Sequence, residues 1–344
     1  MFKILGDYSR LKSNRKALSI QAFKRTFMDT LRPTDLKTIL HSKRANLYYL
    51  EHCRVMQKDG RVLYLTESKK ENLYYNIPIA NTSVILLGTG TSITQSAVRL
   101  LASAGVLIGF CGGGGTPLFM GSEIEWLTPQ SEYRPTEYIQ GWLSWWWDDD
   151  KRLAMAKRLQ MARLDFMNDV WGRDKDLRGA GFDSKCDDII SLQNHYRTQI
   201  LGQNSVSDLL ALEGRMTKEL YKFAVKHTGY KGFSRDYDGV DKANQFLNHG
   251  NYLAYGLGAT TAWVLGIPHG FAVMHGKTRR GALVFDIADI VKDTIILPLA
   301  FMCASDNACE QEFRELCLSY FTDYHALDVM FETVKGLALN KEFE

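Results

Sequence analysis

The spacing of apolar residues changes its period part-way along the 344-residue chain. The earlier pattern favours strands, because the runs 45–57 and 61–68 flank Lys58-Asp59-Gly60, a sequence typical of a hairpin turn. The run 72–88 adds one or two more strands. From Tyr138 onward the apolar residues recur at helical spacing instead.

Turn-forming residues separate the two patterns, in the stretch TPQSEYRPTEY. We therefore predict an α+β two-domain protein, with a β-rich N-terminal domain followed by an all-α C-terminal domain. The predicted bounds are 1–127 for the N-terminal domain, 128–136 for the linker and 137–344 for the helical domain.

The helical segment 206–228 places an acid beside an apolar stripe. Its apolar residues follow helical spacing, at Leu209, Leu212, Met216, Leu220 and Phe223. Glu213 lies at the border of this stripe, where a carboxylate is costly unless it is paired. Arg215 is two residues further on and points elsewhere on a helix. Glu213 is therefore a candidate partner for a site that His275 and Asp289 would form, further along the chain.

The stretch 268–299 carries the strongest chemical signal. His275 lies in an uncharged neighbourhood, a basic turn follows at 277–280, and an apolar run then carries three acids, Asp286, Asp289 and Asp293. On a helix these acids share one face, and a cation would relieve their mutual repulsion. One imidazole with several carboxylates suits Mg²⁺ or Mn²⁺ better than structural zinc. Lys292 could face a phosphate. The alternative is a histidine of the core beside a solvated acidic face.

Three other patterns leave alternatives open. The tryptophans Trp145–Trp147 could stack on bases, although packing at a helix start or a dimer face is favoured. Asn244, Asn248 and Asn251 share a helical face that could bind a phosphate backbone or pack as buried amides. The glycine motifs at 88–90 and 112–115 lack the residues of a dinucleotide or phosphate loop, so a hairpin turn is the simpler interpretation.

Composition and charge add little beyond an ordinary globular class. The net charge is +3, but positive residues dominate the first 45 positions, which would attract nucleic acid or merely keep the surface soluble. The six cysteines show no zinc-binding spacing and indicate reduced thiols. The uncharged stretch 251–276 is long enough to span a bilayer, but Pro268 and His269 interrupt it. We expect a soluble, cytoplasmic protein.

Three segments together carry a family resemblance. They are the LLALEG helix with Glu213, the DKANQFLNHGNY helix at 241–252 and the run from His275 through LVFDIADIVKD. With YLEH, DGRVLYL and IPIANTSVILLGTGTSIT nearer the N-terminus, the chain closely resembles the CRISPR spacer-acquisition integrases, the Cas1 family. The sequences of these segments resemble those of the type I-F branch. The resemblance covers nearly the whole chain, apart from the basic N-terminal segment.

The resemblance implies a site, a fold and partners. Glu213, His275 and Asp289 match the family's metal ligands for Mg²⁺ or Mn²⁺. Asp286 matches a neighbouring catalytic acid, and Lys292 matches the basic residue that follows. The helical domain would be the catalytic one, the protein would form a homodimer through its N-terminal domains, and its partner would be the Cas2 subunit, fused in type I-F to the helicase–nuclease.

The implied activity is that of a metal-dependent DNA endonuclease and integrase, which inserts DNA fragments (prespacers) into the CRISPR array by transesterification. Contacts of Arg279, Arg280 and Asn248 with DNA are expected from position alone. Two alternatives stay open: a non-catalytic DNA-binding scaffold and a branched-DNA repair nuclease.

Overall fold

A computed structural model describes residues 46–67, 72–112, 125–128, 136–276 and 282–340. Its strands are β1 Asn46–Leu50, β2 Arg54–Lys58, β3 Arg61–Glu67, β4 Asn72–Ile77, β5 Thr82–Leu87, β6 Ser92–Ile93, β7 Leu107–Phe110 and β8 Glu125–Leu127. Its longer helices are α1 Gln95–Ser103, α2 Glu137–Trp146, α3 Asp149–Arg173, α5 Asp187–Gly202, α6 Val206–Thr228, α7 Lys242–Val264, α8 Ala282–Val291, α9 Leu297–Ser305, α10 Glu310–Asp323 and α11 Ala326–Ala338. A short helix, α4 Lys175–Gly179, follows α3. The predicted order of a β-rich part followed by a helical part is confirmed.

Strand β5 joins the two parts. It lies between β1 and β7 in a sheet of order β1-β5-β7-β8, in which the first three strands are parallel. Every residue of β5 is buried, as expected for a strand covered on both faces. Val84 and Leu86 pack into the core of the helical part, while Ile85 and Leu87 pack against the second sheet and α1. The sheet is therefore shared between two hydrophobic cores.

The second sheet has the order β4-β3-β2-β6. Its β2–β3 hairpin confirms the predicted turn, because Lys58 pairs with Arg61 and both Asp59 and Gly60 have positive φ. The run 45–57 contains two strands. The chain breaks after Leu50, where His52 adopts a left-handed φ of 46°, so β1 and β2 join different sheets.

Helix α7 is the central element of the helical part and is buried along most of its length. It contains residues 251–264 of the uncharged stretch that resembled a membrane span, and it ends before Pro268. No helix in the described ranges is long and apolar enough to cross a membrane. Helix α8, which carries Asp286 and Asp289, packs closely against α7: a Cβ built on Gly258 would lie 2.8 Å from the Val284 carbonyl oxygen.

A π-helical turn, Lys292–Ile296, connects α8 to α9. Proline at position 298 has no N–H to donate to the carbonyl of Thr294, four residues earlier. The indole Nε1 of Trp171 in α3 donates to that carbonyl instead, at 2.9 Å. The helix therefore widens directly after Asp289, and the side chain of Asp293 reaches α3.

The close contact between α7 and α8 gives a test of the packing. Gly258→Ala should lower the free energy of unfolding by about 1–3 kcal/mol, because the new methyl meets a backbone oxygen that cannot rotate away. The control is Gly256→Ala on the same helix, whose Cβ would meet nothing nearer than 3.6 Å. That change should be neutral or stabilising by up to about 1 kcal/mol. Urea unfolding of both variants makes the comparison, and equal effects would contradict the packing described.

Candidate active site

A buried arginine lies at the centre of the site. Arg163 in α3 is 2% exposed, and its Nε donates to Asp293 Oδ2 at 2.7 Å. Its Nη1 donates to Glu213 Oε1 at 2.9 Å, and its Nη2 donates to Thr217 Oγ1 at 3.1 Å. The guanidinium thus joins three segments, α3, α6 and the π turn. It is the partner that the position of Glu213 required.

Lys292 is the second cation of the site and pairs with Asp289. Lys292 Nζ forms an ion pair with Asp289 Oδ1 and lies 5.4 Å from the ring centroid of Tyr255. Asp289 is 3% exposed, and Lys292 is the cation that its Oδ1 contacts. The buried carboxylate is therefore held by a neighbouring positive charge.

Asp286 holds the histidine. Its Oδ1 lies 2.6 Å from His275 Nδ1, and its carboxylate also accepts the backbone N–H groups of Val273, Met274 and His275 at 2.6, 3.1 and 3.2 Å. A carboxylate accepts hydrogen bonds, so Nδ1 acts as the donor of this pair and Nε2 is the ring nitrogen left for another partner. Asp286 thus orients His275 and does not itself face the solvent, since it is 1% exposed.

Burial and charge compete in setting the pKa values of these groups. Burial alone would raise the pKa of Asp289, but Lys292, Arg163 and His275 outweigh it and lower that pKa. Burial would lower the pKa of Lys292, but Asp289 raises it. For Asp293 the burial dominates and raises its pKa, with Arg163 offsetting only part of the effect. Asp289 is therefore ionised at neutral pH, as a metal ligand must be.

The predicted ligands Glu213, His275 and Asp289 are not assembled as a ready cluster. No three His, Cys, Asp or Glu side chains in the described ranges lie together with geometry to hold a metal ion. The physical reason is that each carboxylate has turned to the nearest cation, Glu213 to Arg163 and Asp289 to Lys292. The chemistry of the donors nevertheless fits Mg²⁺ or Mn²⁺, because they are two carboxylates and an imidazole whose Nε2 is not the nitrogen that Asp286 holds.

The alternative of a solvated acidic face is wrong, because Asp286, Asp289 and Asp293 are all at most 4% exposed. Each acid contacts a different partner: Asp293 binds Arg163, Asp286 binds His275, and Asp289 pairs with Lys292. Sequence reasoning missed Arg163. A signal existed, since this arginine falls on the buried stripe of α3 between Leu159 and Met167.

The structure describes one of the three residues expected to contact DNA. Arg279 and Arg280 lie outside the described residues. Asn248 uses both ends of its amide within the chain: Oδ1 accepts from Arg235 at 2.6 Å, and Nδ2 donates to the Tyr237 carbonyl at 2.9 Å. Its contact with DNA stays a prediction.

The comparison with known families decides the identity. A sequence profile of the family described as "CRISPR associated protein Cas1" matches residues 47–319. The chain belongs to the Cas1 family. The family prediction made from the motifs is therefore confirmed, and the match includes Glu213, His275, Asp286, Asp289 and Lys292 within its bounds.

The sequences of two relatives align with nearly the full length of this chain. A CRISPR-associated endonuclease Cas1 from Pectobacterium atrosepticum is 53% identical over 312 residues, which is 89% of this chain and 96% of the relative. Its counterpart from Pseudomonas aeruginosa is 54% identical over 318 residues, 90% of this chain and 98% of the relative.

Solved structures share the fold. A Cas1 protein from Thermotoga maritima superposes with a TM-score of 0.67 at 16% identity, over 87% of this chain and 99% of that one. A TtCas1–DNA complex gives 0.62 at 22%, over 87% and 93%. A casposase bound to an integration product gives 0.63 at 13%, over 87% and 92%. At these identities the likeness shows the Cas1 fold alone.

The buried arginine can be tested by stability. Arg163→Met should cost about 3–5 kcal/mol of unfolding free energy, because Glu213 and Asp293 lose their shared cation inside the protein. The matched control is Arg173→Met on the same helix, whose exposed ion pair with Asp169 should contribute about 1 kcal/mol or less. Urea unfolding compares the two. Similar losses for both variants would show that the buried pairs do not stabilise this site.

Proposed function

We propose that this protein is a metal-dependent DNA endonuclease and integrase of CRISPR adaptation, of the type I-F branch. The observation that carries the proposal is the arrangement around His275, whose Nδ1 is fixed by Asp286 while Nε2 is left free beside the buried, ionised Asp289. An imidazole held by a carboxylate in this way is typical of a metal ligand. Relatives more than half identical are named CRISPR-associated endonucleases, which supports the activity.

Glu213, His275 and Asp289 would hold one Mg²⁺ or Mn²⁺. When bound, the ion supplies Lewis acidity that stabilises negative charge on phosphate oxygens. Ligation would separate Glu213 from Arg163 and Asp289 from Lys292. Lys292 would then be available to neutralise a phosphate, whereas Arg163 would stay paired with Asp293.

The reaction is a phosphodiester exchange. The 3′-hydroxyl of an incoming prespacer attacks a phosphate of the CRISPR array, a new phosphodiester forms, and the array strand leaves as a 3′-hydroxyl. No ATP is needed, because one phosphodiester replaces another. With water as the nucleophile, the same residues would support hydrolysis of double-stranded, single-stranded or branched DNA.

The partners follow from the same proposal. DNA is the substrate, and a casposase of this fold is bound to an integration product. A homodimer would present two such sites to the two ends of one fragment. The Cas2 subunit, fused in type I-F to the helicase–nuclease, would bridge the dimers. The reaction would take place in the cytoplasm, where the array is located.

Strand transfer tests the proposal. The protein is mixed with a branched DNA that mimics the integration product, with Mn²⁺ or with EDTA, and with or without its partner subunit. Rejoining should depend on Mn²⁺. Glu213→Ala or His275→Ala should lower its rate by more than about a hundredfold, which exceeds the loss expected for a residue that only contacts a metal ligand. The controls are Glu219→Ala on the same helix as Glu213 and His195→Ala, both exposed.

The outcomes separate the proposal from its alternatives. Binding of DNA without metal-dependent strand chemistry, even with the partner subunit, would favour a non-catalytic scaffold. Metal-dependent cleavage of branched DNA with no rejoining would favour a repair nuclease.

Asp286→Asn gives a further prediction. The amide keeps the shape but loses the negative charge that holds the Nδ1–H of His275, so metal affinity and strand-transfer rate should each fall by about 10–100-fold. Mn²⁺ binding followed by calorimetry, next to the assay, measures both. Unchanged Mn²⁺ affinity in a folded variant would contradict the orienting role assigned to Asp286.

A further inference from the structure

The segment 267–276 carries His275 but lies outside helices and strands. A metal-binding or catalytic group needs its supporting backbone fixed to within about 0.5 Å, and irregular backbone cannot supply that rigidity through its own ladder of hydrogen bonds. Other side chains must therefore hold this segment in place.

Two tryptophans of α2 hold its carbonyl groups. Trp142 Nε1 donates to the Phe271 carbonyl at 3.0 Å, and Trp146 Nε1 donates to the Ala272 carbonyl at 2.8 Å. The Phe271 ring also meets the Trp146 ring edge-on, with centroids 5.0 Å apart. Trp142 is 1% exposed, so its indole has no freedom to move away from this contact.

Asp286 holds the next residues from the other side. Its carboxylate accepts the N–H groups of residues 273, 274 and 275, directly after the two carbonyls that the indoles bind. Five successive residues, 271–275, are thus each bound through at least one backbone group. Only the last of them, His275, presents a functional side chain.

We propose that Trp142 and Trp146 are positioning residues for His275, fixing through their indole N–H groups the backbone that aims its imidazole. This inference rests on the proposed function for its effect on activity, but not for its effect on the ring itself. An indole suits the task because it is a rigid donor without acceptor capacity, so it can bind a carbonyl in one orientation only.

Trp145 provides a matched control within the same helix. Its Nε1 donates to the Leu337 carbonyl in α11 at 3.0 Å, and its side chain is 2% exposed. Replacing it with phenylalanine removes the same kind of bond, directed at α11 instead of 267–276, and keeps an aromatic ring against Trp142, whose centroid lies 4.6 Å away. A merely structural role for the tryptophans would make the three substitutions equivalent.

The experiment compares Trp142→Phe, Trp146→Phe and Trp145→Phe in the full chain. Melting temperatures should fall in all three. Strand-transfer rate at saturating branched DNA with Mn²⁺ should fall about tenfold or more in the first two, as for outer-shell partners of a metal ligand, and less than about threefold in Trp145→Phe. DNA affinity should stay unchanged in all three.

A second readout does not need activity. The ring ¹⁵N shifts of His275, assigned with His275→Gln and recorded at one pH on metal-free protein, report the fixed Nδ1–H tautomer. They should move in Trp142→Phe and Trp146→Phe and not in Trp145→Phe. Should Trp142→Phe fail to fold, the half-buried Trp146 carries the test.

The two proposals fail in different ways. Equal loss of activity in all three variants, or none in any, overturns the positioning role, as do unmoved His275 signals in Trp146→Phe. Wild-type protein that lacks strand transfer even with its partner subunit overturns the proposed function. In that case the ring signals alone decide whether the tryptophans fix His275.

Discussion

The buried guanidinium of Arg163 is the constraint on which the helical part depends. Removing charges from water costs several kcal/mol each unless they are paired and hydrogen-bonded. Arg163 meets that condition by joining Asp293 on the π turn and Glu213 on α6, while Thr217 takes a further donor. Since these groups lie on three segments, the ion pairs fix how the segments sit against one another. Apolar packing alone would leave that arrangement less specific.

Irregular backbone is tolerated around this centre because aromatic donors satisfy it. The carbonyls that a proline or a loop leaves without a backbone partner are bound by indole N–H groups, from Trp171 at the π turn and from Trp142 and Trp146 at the His275 segment. Both places adjoin candidate site residues. The irregular geometry allows those side chains to leave the regular spacing of a helix, and the indoles limit the flexibility that would otherwise follow.

Residue types close together in the sequence predicted the elements that short-range interactions determine. The Asp59-Gly60 hairpin, the apolar stripe of α6 and the change from strands to helices are each determined by residue types close in sequence. The break at His52 was not predictable in that way, because it reflects the pairing of β1 with β5, more than thirty positions further on. Arg163 was missed since arginine on a helix usually faces water. Arg279 and Arg280 lie outside the described ranges, so their expected contacts with DNA stay predictions.

Charge balance determines which groups of the site pair with one another. Four carboxyl groups, on Glu213, Asp286, Asp289 and Asp293, surround two permanently cationic side chains, Arg163 and Lys292. The carboxyls outnumber these two cations, and although burial would lower the pKa of His275, its hydrogen bond to Asp286 and the charge of Asp289 raise it. A divalent cation would supply the missing charge and release Lys292 at the same moment. Under the proposed function, the ion pairs with Arg163 and Lys292 would keep the ligands ionised and close to the site until a metal ion replaced those cations as their partner.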